Sequence, residues 1–179
     1  MPSQTNRSKH IVLTGGPGSG KTTTLELLHR KGYVTGEDAA RSLIRERKKQ
    51  GLSARPDAIT FAQLIFQREA KAYCRHTTVP IFYERGVVEA AGTLCALEAM
   101  DGHAASRFLE RHPYDAVFIF PPWEEIYCTD EERDHTFEHA VNVYKTTKNL
   151  YQSFGYATTQ VPPDTPENRV EFILNHLSL

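Results

Sequence analysis

The chain is poor in the features that mark several protein classes. It has three cysteines in 179 residues, Cys74, Cys95 and Cys128, spread too widely for a CxxC pair. That scarcity excludes a disulfide scaffold and a thiolate metal site, and it fits reduced thiols in the cytoplasm. No run of 18 apolar residues occurs, so no transmembrane helix is expected, and the polar start MPSQTNRSKH lacks the apolar stretch of a signal peptide. Neither charge sign dominates: 21 Lys and Arg oppose 22 Asp and Glu, for a net charge of -1. Without a basic field, nucleic acid is not the expected partner. There is no internal repeat, low-complexity tract or linker. With 40% hydrophobic residues, a chain of this length reads as one globular domain, 1–179, that needs no metal or disulfide staple.

What is present is an alternation of short apolar runs with longer helical patterns, the mark of βαβ units on a parallel sheet. Strands are expected at 10–14 (HIVLT), 33–35, 79–83 (VPIFY), 115–120 (DAVFIF) and 156–161. Helices are expected at about 20–31, 38–50, 57–76, 88–100, 104–112, 130–154 and 165–177. The runs VPIFY and DAVFIF are almost wholly apolar, as strands covered on both faces require. Phe118 and Phe120 therefore read as core.

The most informative segment follows the first strand. Gly15-Gly16-Pro17-Gly18-Ser19-Gly20-Lys21-Thr22 fits GxxxxGK[ST], with Thr23 following, between a hydrophobic strand and a helix. Glycines there let successive amides turn inward toward phosphate oxygens, and the helix start adds partial positive charge. Lys21 is placed to reach the β- and γ-phosphates, and the Thr22 hydroxyl to ligate Mg²⁺. ATP and Mg²⁺ are the expected cofactors. No NKxD-type guanine-reading motif is present, which favours adenine.

A second metal-orienting carboxylate is expected at the end of a neighbouring strand, and Glu84 follows VPIFY directly. Arg85 beside it offers a fork for a substrate anion or phosphate. Glu37, Asp38 and Arg41 follow the second strand, where ligands gather in parallel sheets. They read either as acceptor contacts, with Asp38 or Glu84 orienting the nucleophile, or as a helix cap with its dipole partners. Glu89 reads as structural. Arg133 is expected in the opening turns of the helix from Asp130, where a cation is unfavourable unless it meets a phosphate. Trp123, in the loop after the fourth strand, is a candidate contact for the substrate or base. His135 and His139 spell HxxEH, a zinc-protease pattern that lacks a downstream third ligand.

GGPGSGKTT, the Glu84-Arg85-Gly86 triplet, FIFPPWEEIY and DEERDHTFEHA together resemble the small AAA_28-type ATPase and kinase family. That family is related to the ribosylnicotinamide-kinase domain of the bacterial NadR regulator and to eukaryotic GTP-binding proteins named for a TRPL-translocation defect. The resemblance spans nearly the whole chain. It implies an α/β P-loop NTPase, a three-layer sandwich like the nucleoside and nucleotide kinases. Its five-stranded parallel sheet would have the order 2-3-1-4-5, with a helical lid at about 123–145. It maps Arg133 onto the lid's phosphate-contacting arginine, and Pro162 and Pro163 onto the flank of the adenine. Relatives more often carry Asp at the position of Glu84, and the longer side chain shifts the metal–water geometry.

Two functions are carried forward. One is a small-molecule kinase moving the γ-phosphoryl group of ATP to a nucleoside-like or other small acceptor. The other is a nucleotide-dependent switch that hydrolyses ATP or GTP slowly. Such a switch would engage a protein or phospholipid partner through the basic 41–49 helix. Neither the acceptor nor the oligomeric state is readable from the sequence.

Overall fold

The computed structural model describes residues 8–75, 77–127 and 136–179. Five parallel strands form one sheet, β1 (His10–Gly15), β2 (Val34–Gly36), β3 (Ile81–Glu84), β4 (Ala116–Phe120) and β5 (Thr159–Gln160), in the order β2-β3-β1-β4-β5. The expected order is thus observed. Among the described residues, seven helices connect and cover the strands: α1 (Lys21–Arg30), α2 (Ala39–Lys49), α3 (Ala58–Tyr73), α4 (Val87–Ala96), α5 (Gly102–Arg111), α6 (Phe137–Ser153) and α7 (Pro166–Leu177). A short 3₁₀ turn, Glu124–Ile126, follows β4.

Strand alternation sorts the core into two layers. Ile11, Leu13, Phe82, Phe118 and Phe120 face one side, where Leu25 and Leu28 of α1 and Val170 and Ile173 of α7 cover them. Val12, Ile81, Tyr83 and Val117 face the other, under Tyr73 of α3, Val87 and Val88 of α4, Leu109 of α5 and Tyr151 of α6. Both faces are buried, which accounts for the apolar runs in the inner strands.

Caps set the helix starts. Asp57 accepts from the Thr60 amide to open α3, and Asp101 accepts from Ala104 to open α5. Thr136 accepts from the His139 amide to open α6 at Phe137, and Asp130, where that helix is expected to begin, lies outside the described residues. Arg133, expected in that helix's opening turns, lies outside the described residues, as do Cys128 and His135. The expected strand at 156–161 shrinks to two paired residues, because β5 is an edge with only β4 beside it.

Candidate functional site

All five strands run in the same direction, so the loops leaving their carboxyl ends meet along one edge of the sheet. Segments from these loops and the adjoining helices line a cavity of about 1450 Å³. The glycine-rich loop after β1 lines it, together with Asp38, Arg85, Trp123 from the segment after β4 and Asp164 from the segment after β5.

The glycines of the loop do two different jobs. Gly18 and Gly20 have φ of 72° and 84°, the left-handed region that glycine enters without strain. Gly16, and Gly15 in addition to its own positive φ of 128°, are needed for space. A side chain at Gly15 would overlap the Phe120 carbonyl, and one at Gly16 would stand 2.5 Å from the Ala140 carbonyl. Sequence reasoning credits all four to phosphate binding; two of them serve close packing against β4 and α6.

Lys21 opens α1 and is buried, with Nζ donating to Gly16 O at 2.7 Å, Gly15 O at 3.2 Å and Ser19 Oγ at 3.3 Å. Burial, then the charge of Arg85, pushes its ammonium down to about 8, against the pull of Glu84, Glu89 and Asp38. The expected metal pair is brought together: Thr22 Oγ1 donates to Glu84 Oε1 at 2.9 Å. Glu84 is the last residue of β3, paired with Leu13, and not the first residue beyond the strand. A hydroxyl beside a carboxylate is the hard oxygen donor set that Mg²⁺ takes.

Arg85 follows in the left-handed region, with φ of 68°. For a residue with a β-carbon this conformation is strained, and such strain concentrates at functional sites. Its guanidinium lies 3.5 Å from Asp38 Oδ2 and 3.3 Å from Glu89 Oε1. Asp38 is the helix cap that the sequence allowed, and it also lines the cavity. Its Oδ1 caps α2 by accepting from the Ala40 and Arg41 amides, while Oδ2 faces Arg85 on the cavity wall. Glu89 is bonded on both oxygens, by Thr14 and Arg85 on one and by the Gly86 amide and Tyr151 hydroxyl on the other. Arg41 lines the cavity. Glu37 does not: it is exposed, pairs with Arg45 at 2.8 Å and borders a separate, shallower depression.

Two residues of this cavity escape sequence reasoning. Glu69 of α3 is 5% exposed, on the same face as the buried Ala62 and Tyr73. Burial, then the charges of Glu89 and Asp38, pushes its carboxyl up to about 8. Arg169 of α7 is 2% exposed, on the face that carries Ile173. It donates through Nη1 to Ser19 O at 2.7 Å and through Nε to Pro162 O at 3.2 Å, joining the glycine-rich loop to the loop after β5. Its guanidinium carbon lies 4.6 Å from the centre of the Trp123 ring, a cation–π distance. Among the described residues, Nη2 of Arg169 is the only buried side-chain nitrogen or oxygen without a hydrogen-bond partner. In both cases the readable signal is a charged residue at a core-facing position of an amphipathic helix.

Residues 10–169 match a family model, AAA_28, described as an AAA domain. No curated protein matches. Among solved structures, the chain is similar to a deoxyadenosine kinase from M. mycoides with products dCMP and dCDP bound, at 15% identity and a TM-score of 0.62. That match covers 94% of this chain and 98% of the other. A NadR protein in complex with NR is 13% identical, with a TM-score of 0.69, over 96% of this chain and 52% of that one. A shikimate kinase from Aquifex aeolicus is 19% identical, with a TM-score of 0.58, over 94% and 96%. At these identities the likeness establishes the fold.

Proposed function

The chain belongs to the AAA_28 family of AAA domains, and from that premise we propose that it is a small-molecule kinase that uses ATP and Mg²⁺. The observation that carries this reading is the single cavity that joins the glycine-rich loop to the Asp38–Arg85 wall. A switch needs a nucleotide site and an outer surface. This chain also has an interior space large enough for a second small molecule beside the nucleotide, lined by groups suited to a hydroxyl and its charge. The neighbours of known structure named above as kinases share this fold.

In this reading Gly15, Gly16, Pro17, Gly18, Ser19, Gly20, Lys21, Thr22 and Thr23 wrap the phosphates, and Lys21 exchanges its carbonyl partners for phosphate oxygens. Magnesium, when bound, offsets charge on the phosphate oxygens, and Thr22 and Glu84 are the residues that would hold it. Asp38 keeps Oδ1 on the α2 amides and uses Oδ2 to accept the acceptor's hydroxyl proton. The new O–P bond forms as the β–γ bridging bond breaks, with ADP leaving. Arg85, held between Asp38 and Glu89, steadies the negative charge that develops, as does Arg133 from the segment before α6. Arg169 and Trp123 border the nucleotide from the base side. The two described cysteines, Cys74 and Cys95, are free thiols, which supports a cytoplasmic setting.

The test is ATP consumption with Mg²⁺, alone and with nucleosides, ribosylnicotinamide and nucleoside monophosphates. One compound is expected to stimulate turnover and yield a phosphorylated product, and Lys21→Ala is expected to abolish it. An unchanged rate in Lys21→Ala overturns the site. Slow hydrolysis that no compound stimulates transfers the reading to the switch.

A further inference from the structure

The cations of α2 are sorted by direction. Arg45 pairs with Glu37, and Arg47 donates to the Ser53 carbonyl at 2.7 Å. Arg41 and Lys48 line the cavity instead, and Arg55, from the turn into α3, joins them. Among the described residues, none of these three has an ion pair within 4.0 Å.

None of the cavity's described carboxylates stands within 4.0 Å of these three cations. Asp38 serves the α2 amides and Arg85, Glu84 serves Thr22, and Glu89 serves Thr14, Gly86, Tyr151 and Arg85. Glu69 is buried, and burial and its acidic neighbours push its carboxyl up to about 8. Asp164 accepts from Asn168 and from the Thr165 amide.

Position adds a length. Arg41 lies one turn from Asp38, whereas Lys48 lies about 10 Å further along α2, at about 1.5 Å per residue. Between them the wall is apolar, with Ile44, Phe61 and Ile65. The space therefore runs from the phosphoryl-accepting end, past an apolar strip, to a rim of uncompensated positive charge.

We propose that the acceptor bears an anionic group of its own, a phosphate or a carboxylate, which Lys48 and Arg55 hold at the outer end of the cavity, with Arg41 on the wall nearer Asp38. This rests on the kinase reading and names its substrate class: anionic hydroxyl compounds, not neutral nucleosides. A guanidinium supplies the fork that fits either anion, and Lys48 supplies a point charge. Positive charges on one wall without counter-ions within 4.0 Å favour a charged occupant beyond any single contact.

The experiment is a titration of the full chain saturated with Mg²⁺ and a non-hydrolysable ATP analogue, which keeps the glycine-rich loop occupied. The probes are nucleosides, each against its own 3′- and 5′-monophosphate, together with inorganic phosphate. Monophosphates are expected to bind at least tenfold more tightly than their parents, with an affinity that falls as salt rises. Lys48→Gln/Arg55→Gln, at two exposed positions, is expected to erase that preference, and for any compound turned over to raise KM about tenfold with kcat little changed. Binding of the ATP analogue, measured in parallel, reports that the double variant is folded. Equal affinity within every pair, absence of binding included, overturns the proposal, as does a double variant that keeps the preference. Charge-dependent binding without any phosphorylated product sustains the anion site and overturns the transfer reading instead.

Discussion

Lys21 carries the clearest residue-scale consequence. In the free protein its ammonium is held down to about 8 by burial, whereas a bound polyphosphate restores its preference for the charged form. Nucleotide binding above pH 8 must therefore take up a proton. Affinity is expected to be flat from pH 7 to 8 and then to fall by up to about tenfold per pH unit as Lys21 deprotonates in the free state. Calorimetric titrations in buffers of different ionisation enthalpy read that proton directly, and a flat profile to pH 10 would exclude it. The sequence makes Lys21 legible because its spacing from the glycines is fixed. It leaves Glu69 and Arg169 obscure, since only the packing of α3 and α7 turns those side chains toward the cavity.

At the scale of elements, the turn from β3 into α4 is tightly constrained. Gly86 lies against Tyr114, so a β-carbon there would stand 2.8 Å from the tyrosine hydroxyl, which accepts from the Val87 amide at 3.0 Å. Gly86→Ala is expected to destabilise the fold by about 1–3 kcal/mol, as overpacking of a buried site does. Urea denaturation of Gly86→Ala, Tyr114→Phe and the double variant checks this. The double variant should be more stable than the sum of the two losses implies, because the hydroxyl is the atom in the way. Strictly additive losses would refute the clash. Turns, caps and strand ends of this kind are only partly legible. Asp57 announces α3, while the start of α6 at Thr136 is hidden by an acidic stretch that reads equally well as helix. Helical periodicity continues across such a junction, and only the cap geometry marks the boundary.

For the whole molecule, the cavity ties nucleotide binding to global stability, because it is walled by segments far apart in sequence. Nucleotide at a hundred times its Kd is expected to raise the unfolding free energy by about 2.7 kcal/mol. Trp123 is the only tryptophan, so its emission should change in parallel. Lys21→Ala should lose both effects, and a tryptophan signal unmoved by saturating nucleotide would place the base elsewhere. The α/β alternation, the glycine-rich loop and the Thr22–Glu84 pairing were determined by the sequence alone, from apolar runs, fixed spacings and a carboxylate at a strand end. The order of the sheet came only through the family resemblance. The placement of Asp38 as both helix cap and cavity lining, the position of Glu37 outside that cavity, the burial of Glu69 and Arg169 and the direction of Arg41, Lys48 and Arg55 into the cavity were decided only by tertiary structure. Each depends on which way a helix turns its faces, and that is fixed by long-range packing against the two sides of the sheet.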